Sequence, residues 1–198
     1  MTASEAERRI LGDVTVEYVL PRPLEAYTWD DLQAIPDEAH HHYELIEGQI
    51  LMSPSPDLRH QDCVGNLFLA LRVAAPRDLK VVVSPFDFAP EPGTVLQPDV
   101  LVIRRGTAER QRTITPPVLA VEVLSPSSRT TDRVTKRDLY ARFGVEHYWI
   151  VDPATPSILA LCLRDGEYVE VASVEGLAEF VGVEPFGVQI TPGALIES

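Results

Sequence analysis

The sequence predicts an α/β fold: a mixed β-sheet flanked by helices, with a β-hairpin appended at the C-terminal end. Three observations predict it. An apolar stripe at helical spacing over 57–74 precedes runs rich in β-branched residues at 81–88, 95–103 and 118–124. A second helical stretch over 131–143 separates those runs from Tyr148-Trp149-Ile150-Val151. Asp165-Gly166, a strong hairpin dipeptide, lies between the last two strand candidates. The length of 198 residues and a hydrophobic content of 45% suit one domain with a real core. That domain is expected over 28–198, behind a loose lead-in over 1–27 that carries Pro21 and Pro23.

Taken in order, Thr28-Trp29-Asp30-Asp31 resembles a capping box with Asp in place of the usual Glu, opening a short helix that stops before Pro36. His40-His41-His42 reads as a polar loop, and a poor metal set because adjacent side chains point in different directions. The stretch from Tyr43 to Met52 reads as two short strands hinged at Glu47-Gly48, after which Pro54 and Pro56 break the chain. In the 57–74 helix, Val64, Leu67, Phe68 and Leu71 form the inward stripe, and His60 shares it. Val81-Val82-Val83 is expected to lead to Phe88, Val95 to Ile103, and Val118 to Leu124. Ser127 or Ser128 offers cap chemistry for the 131–143 helix, and Gly144 fits its stop. In the final hairpin, Leu159, Leu161 and Leu163 share one face, an apolar surface on which a homodimer is expected.

Composition narrows the classes. No apolar run reaches the roughly 20 residues that span a bilayer. The charged stretch 1–12 lacks an apolar signal core, so a cytoplasmic location is expected. Cys63 and Cys162 read as buried free thiols rather than a disulfide, and neither belongs to a zinc-type CxxC pair. The net charge of −13 argues against indiscriminate nucleic-acid binding. Its distribution is uneven, because 104–142 holds nine basic residues against four acids (+5), leaving eight bases and 26 acids (−18) elsewhere. That cationic segment, with Arg129, Arg133 and Arg137, is the candidate contact for a polyanion. A solvated charged loop and helix face accounts for the same charges.

The candidate chemistry rests on acids planted in apolar strands. Glu122 interrupts Val118-Leu119-Ala120-Val121 and Val123-Leu124, where a lone carboxylate costs several kcal/mol, roughly, unless paired or metal-bound. Asp99 opens the run Val100-Leu101-Val102-Ile103. Strand alternation puts Asp99 with Leu101 and Ile103, and Glu122 with Ala120 and Leu124. If the two strands pair across the 104–117 loop, both carboxylates converge on one place. With the Val123 carbonyl they would form an oxygen set suited to Mg²⁺ or Mn²⁺. Lys136, one of only two lysines, stands on the next helix with Tyr140 one turn later. It would orient a nucleophilic water or stabilise a phosphoryl transition state, or else lie on the ordinary surface. His60 would approach the site as an accessory group or sit as a hydrogen-bonded core histidine.

These residues carry a family resemblance. Pro98-Asp99 followed by Glu122-Val123-Leu124 resembles the PD-(D/E)XK nuclease motif, except that Leu124 stands where its lysine belongs. The segments Tyr43 to Gly48, Pro98-Asp99-Val100, Val121 to Ser128, Lys136 to Tyr140, and Gly144 to Pro153 resemble the Uma-type family of putative restriction endonucleases over roughly 25–190. The resemblance implies a restriction-endonuclease-like fold and a magnesium-dependent endonuclease acting on DNA. It also implies that Asp99 and Glu122 hold the metal, that Lys136 assists from a migrated position, and that Glu44 is an additional active-site acid. Two rivals stand beside it. One is a noncatalytic nucleic-acid-binding or assembly module that keeps the fold. The other is a two-carboxylate glycosidase, for which no aromatic cluster flanks either acid.

Overall fold

The computed structural model describes residues 18–19, 26–35 and 41–196. Strand β1 (Tyr18–Val19), which falls inside the expected lead-in, is followed by helix α1 (Trp29–Gln33). The capping box forms as read: Asp31 Oδ2 accepts from the Thr28 amide at 2.8 Å and from its hydroxyl at 2.7 Å. Of the histidine run, His40 lies outside the described residues, and His42 belongs to a strand rather than a loop. Strands β2 (His42–Ile46) and β3 (Gln49–Ser53) pair antiparallel across Glu47-Gly48, whose φ values of 49° and 77° are those of the tight hairpin turn. Helix α2 (Leu58–Ala74) is capped by Asp57, which accepts from the His60 amide at 2.8 Å.

Beyond α2 the chain runs through β4 (Leu79–Val83), β5 (Asp87–Glu91), β6 (Thr94–Leu96), β7 (Val100–Arg104), β8 (Arg112–Thr113) and β9 (Leu119–Val123). Two expected strands are therefore each divided. The 81–88 run breaks between β4 and β5 at Pro85, and the 95–103 run breaks between β6 and β7 at Pro98. Proline has no N–H for a ladder, so neither run can continue through a sheet interior. The breaks carry the chain between two sheets. One has the order β1-β3-β2-β6-β5-β8 and takes the short middle strands.

The other sheet is the larger core. A wide π-helical turn over Thr131–Lys136 runs into helix α3 (Arg137–Arg142), where sequence periodicity suggests one regular helix. No side chain caps its start; instead Ser125, Ser127 and Ser128 bond to one another in the preceding turn. Gly144 ends α3 at φ 74°, with its amide on the Ala141 carbonyl and the Val145 amide on that of Tyr140. Strands β10 (His147–Asp152), β11 (Ser157–Arg164) and β12 (Glu167–Glu175) complete the order β12-β11-β10-β9-β7-β4. Within this sheet, among the described residues, β9 and β10 alone pair in parallel, as a helical crossover between them requires. The Asp165-Gly166 hairpin is thus continuous with the main sheet. A further hairpin, β13 (Phe180–Gly182) with β14 (Val188–Ile190), follows.

Alternation sorts β9 onto two cores. Leu119, Val121 and Val123 pack with Cys63, Leu67 and Leu71 of α2 and with Phe180 and Ile190 of the last hairpin. Ala120 and Leu124 face the opposite side, with Leu139 and Tyr140 of α3 and Phe88 and Leu96 of the smaller sheet. Leu161 is buried in this second core, and Leu159 and Leu163 pack against it. The face expected to dimerise is therefore covered by the chain itself. Both cysteines are free and buried, and burial pushes the Cys63 thiol up to about 12.

Candidate active site

Strands β7 and β9 pair antiparallel with Val100 opposite Val121. One more step of that register sets Asp99 opposite Glu122, at the end of the sheet. Asp99 Oδ2 accepts from the Val123 amide at 2.8 Å, so the peptide edge of Val123 faces Asp99. His60 reaches the same carboxylate oxygen from α2, with Nε2 at 3.3 Å. It is both a core histidine and a neighbour of the site. Burial lowers its pKa, but the hydrogen bond and charge of Asp99, with the Val123 carbonyl, more than offset this and leave it raised.

Glu122 lies on the opposite face of β9 from α2, almost fully buried at 2% exposure. Its Oε1 accepts from Tyr140 Oη at 2.7 Å and from Lys136 Nζ at 3.1 Å. Burial holds its carboxyl well above the usual range; Lys136 opposes that shift, while Asp132, Asp99 and Glu44 add to it. Lys136, itself 5% exposed, also stands 2.8 Å from Glu44 Oε2 and 3.3 Å from Asp132 Oδ1. Burial would lower its pKa, but the three acids reverse this and keep the ammonium charged. It is no surface lysine. The wide helical turn carries both Asp132 and Lys136 inward, a distortion that recurs at functional sites.

Glu44 arrives from β2 of the smaller sheet. Its Oε1 accepts from the Gln97 amide at 2.7 Å, just before the Pro98 break. Gln97 is fixed in turn: Nε2 donates to Asp87 at 3.0 Å, and Oε1 lies 3.0 Å from His42 Nδ1. Trp29 Nε1 donates to the other oxygen of Asp87 at 2.9 Å. Burial, more than any neighbour, raises the pKa of both Glu44 and Asp132.

Glu44, Glu122, Lys136 and Tyr140 thus touch in one cluster, and Asp99, His60 and Val123 adjoin it through β9. Sequence reasoning passed over Asp132, whose signal was its i, i+4 spacing to Lys136 and again to Tyr140. Of the candidate cationic residues, Arg133 is exposed. Arg129 instead grips Asp152 through two bonds at 2.6 and 3.2 Å, and Arg137 donates to the Tyr168 carbonyl at 3.2 Å. The predicted oxygen set is chemically consistent with a hard divalent cation. Among the described residues, the contacts of the two acids fall on Asp99 Oδ2 and Glu122 Oε1, which leaves each carboxylate a second oxygen for such an ion.

Among described residues, no helix is long and apolar enough to cross a membrane. No curated protein matches the chain. In fold it is similar to a crystal structure of a putative nuclease from Anabaena variabilis ATCC 29413, at a TM-score of 0.67 and 21% identity, covering 85% of this chain and 97% of that one. The family model described as "Uma2: Putative restriction endonuclease" matches residues 29–193, and the chain belongs to that family.

Proposed function

We propose that the chain is a Mg²⁺- or Mn²⁺-dependent endonuclease that hydrolyses phosphodiester bonds in DNA. The observation that carries this reading is the gathering of Glu44, Glu122 and Asp132 around the single ammonium of Lys136, with Asp99 set opposite Glu122. Three buried carboxylates against one cation leave negative charge that water cannot screen, and a bound divalent ion would relieve it. Asp99 and Glu122 would hold the ion, with the Val123 carbonyl beside them. When bound, the ion supplies neutralisation of a phosphoryl oxygen and a lowered pKa for attacking water.

The chain's own groups do the rest. Glu44 and Asp132 fix the Lys136 amine, and Lys136 offers its charge to the pentavalent transition state. Tyr140 orients Glu122, and His60 orients Asp99. Magnesium and manganese titration by calorimetry, on the wild type and on Asp99→Asn, tests the assignment. Binding confined to the wild type, together with metal-dependent nicking of a plasmid, supports it; equal affinity in both proteins ends it. The second reading, a binding module, is favoured by the two contacts that Glu122 Oε1 already accepts, from Lys136 and Tyr140. DNA retention with no cleavage under either metal would establish that reading instead.

The proposal extends to a cytoplasmic homodimer, since cutting both strands of a duplex favours two sites related by a two-fold axis. Light scattering that returns one chain's 21.9 kDa at micromolar concentration would remove it.

A further inference from the structure

A second cluster lies away from the acids, on the α2 side of the main sheet. His147 at the start of β10 is the cross-strand partner of Cys162 in β11. Glu184, in the turn between β13 and β14, reaches over both. One ligand atom from each of these residues lies within 4.8 Å of the others, with Cys162 Sγ 3.8 Å from Glu184 Oε2. Ligands on a tetrahedral zinc ion stand roughly 3.5 Å apart, so only a small closure would be needed. His147 and Cys162 are buried, whereas Glu184 is exposed, which leaves one side open to water.

We propose that His147, Cys162 and Glu184 bind zinc, with water as the fourth ligand, and that the ion clips the β13–β14 turn to the main sheet. Imidazole nitrogen, thiolate and a single carboxylate form a set that magnesium rejects and zinc accepts. On binding, the Cys162 thiol releases its proton to solvent and the thiolate takes a metal bond. Arg164 Nη2 already contacts Glu184 Oε2 at 3.1 Å, so the ion must take the other carboxylate oxygen or displace the guanidinium. The proposal stands apart from the nuclease reading, because no residue is shared.

Cobalt(II), added to the reduced full-length protein in excess magnesium, reports the site directly. One equivalent should give a thiolate-to-cobalt charge-transfer band and tetrahedral d–d absorption, both removed by competing zinc. Cys162→Ser should abolish the charge-transfer band, while Cys63→Ala and Asp99→Asn keep it. Glu184→Gln, at an exposed position that does not threaten folding, should weaken binding by at least the roughly 10–100-fold seen when metal sites lose a supporting partner. Zinc should also raise the wild-type Tm more than that of Glu184→Gln. A wild type without the band, a band retained in Cys162→Ser, or unchanged cobalt affinity in Glu184→Gln would overturn the proposal.

Discussion

Lys136 answers to three carboxylates at 2.8, 3.1 and 3.3 Å, so its removal and its role can be separated by metal. Lys136→Met strips the only cation in contact with Glu44, Glu122 and Asp132 among the described residues. Without divalent ions this should cost about 3–5 kcal/mol, the usual penalty for breaking a buried ion pair. Saturating Mg²⁺ should then restore more stability to the variant than it adds to the wild type, while turnover stays about 10²–10³-fold down. Lys136→Arg should not rescue turnover, because a planar guanidinium cannot fill the place of an ammonium. Melting curves with and without Mg²⁺ check this; identical metal effects on both proteins would refute it. Glu122→Gln reverses the logic. Its Oε1 still accepts from Tyr140 and Lys136, so metal-free stability should hold or rise while metal affinity is lost. Glu122 was legible in the sequence because a carboxylate inside an apolar strand demands a partner. Asp132 was not, since an acid amid bases on a helix reads as solvated.

The elements show which local signals survive tertiary structure. Turn chemistry did: Gly48, Asp165-Gly166 and Gly144 all take the positive φ that their residue types suggest, and Glu47 is carried into it by the turn it shares with Gly48. Gly144→Ala should therefore cost about 1–2 kcal/mol from backbone strain alone, because an added Cβ meets nothing within 4 Å. Apolar runs were less informative. Both 81–88 and 95–103 read as single strands, yet each changes sheet at a proline. The wide turn over Thr131–Lys136 carries no residue-type signature at all, since its side-chain pattern is compatible with an ordinary helix. The turn before it is tied to the end of β10 by Arg129 and Asp152. Burial alone would raise the Asp152 pKa, but Arg129 and the amides of Thr155 and Ala154 pull it below 3.8. A lowered folded pKa contributes stability that is fully present above 3.8 and is lost as pH falls through the folded value. Asp152→Asn should cost about 1–3 kcal/mol near neutrality and flatten the acid limb of a Tm–pH profile. An unchanged limb would show that other carboxylates set it.

For the whole molecule, a mixed sheet with two flanking helices followed from the alternation of helical and strand-like segments, whereas the order of its strands did not. The smaller sheet that delivers Glu44 did not, because its strands are short and its order is non-sequential. Charge organisation is the larger question at this scale. A chain of net −13 repels a polyanion at long range, so the proposed DNA binding would have to be carried locally by the 104–142 segment. Two of its candidate contacts are already engaged: Arg129 with Asp152 and Arg137 with the Tyr168 carbonyl. Replacing either should lower Tm before it tells anything about DNA. Arg133 is exposed on the same helical segment as Lys136 and is the cleaner probe. Arg133→Ala should leave Tm and metal affinity unchanged, weaken binding about equally for all DNA sequences, and reduce the slope of log affinity against log salt by about 1. Fluorescence anisotropy on a short duplex over a salt series, with Ca²⁺ in place of Mg²⁺ to block cleavage, would measure it. An unchanged slope would place the phosphate backbone on another face of the molecule.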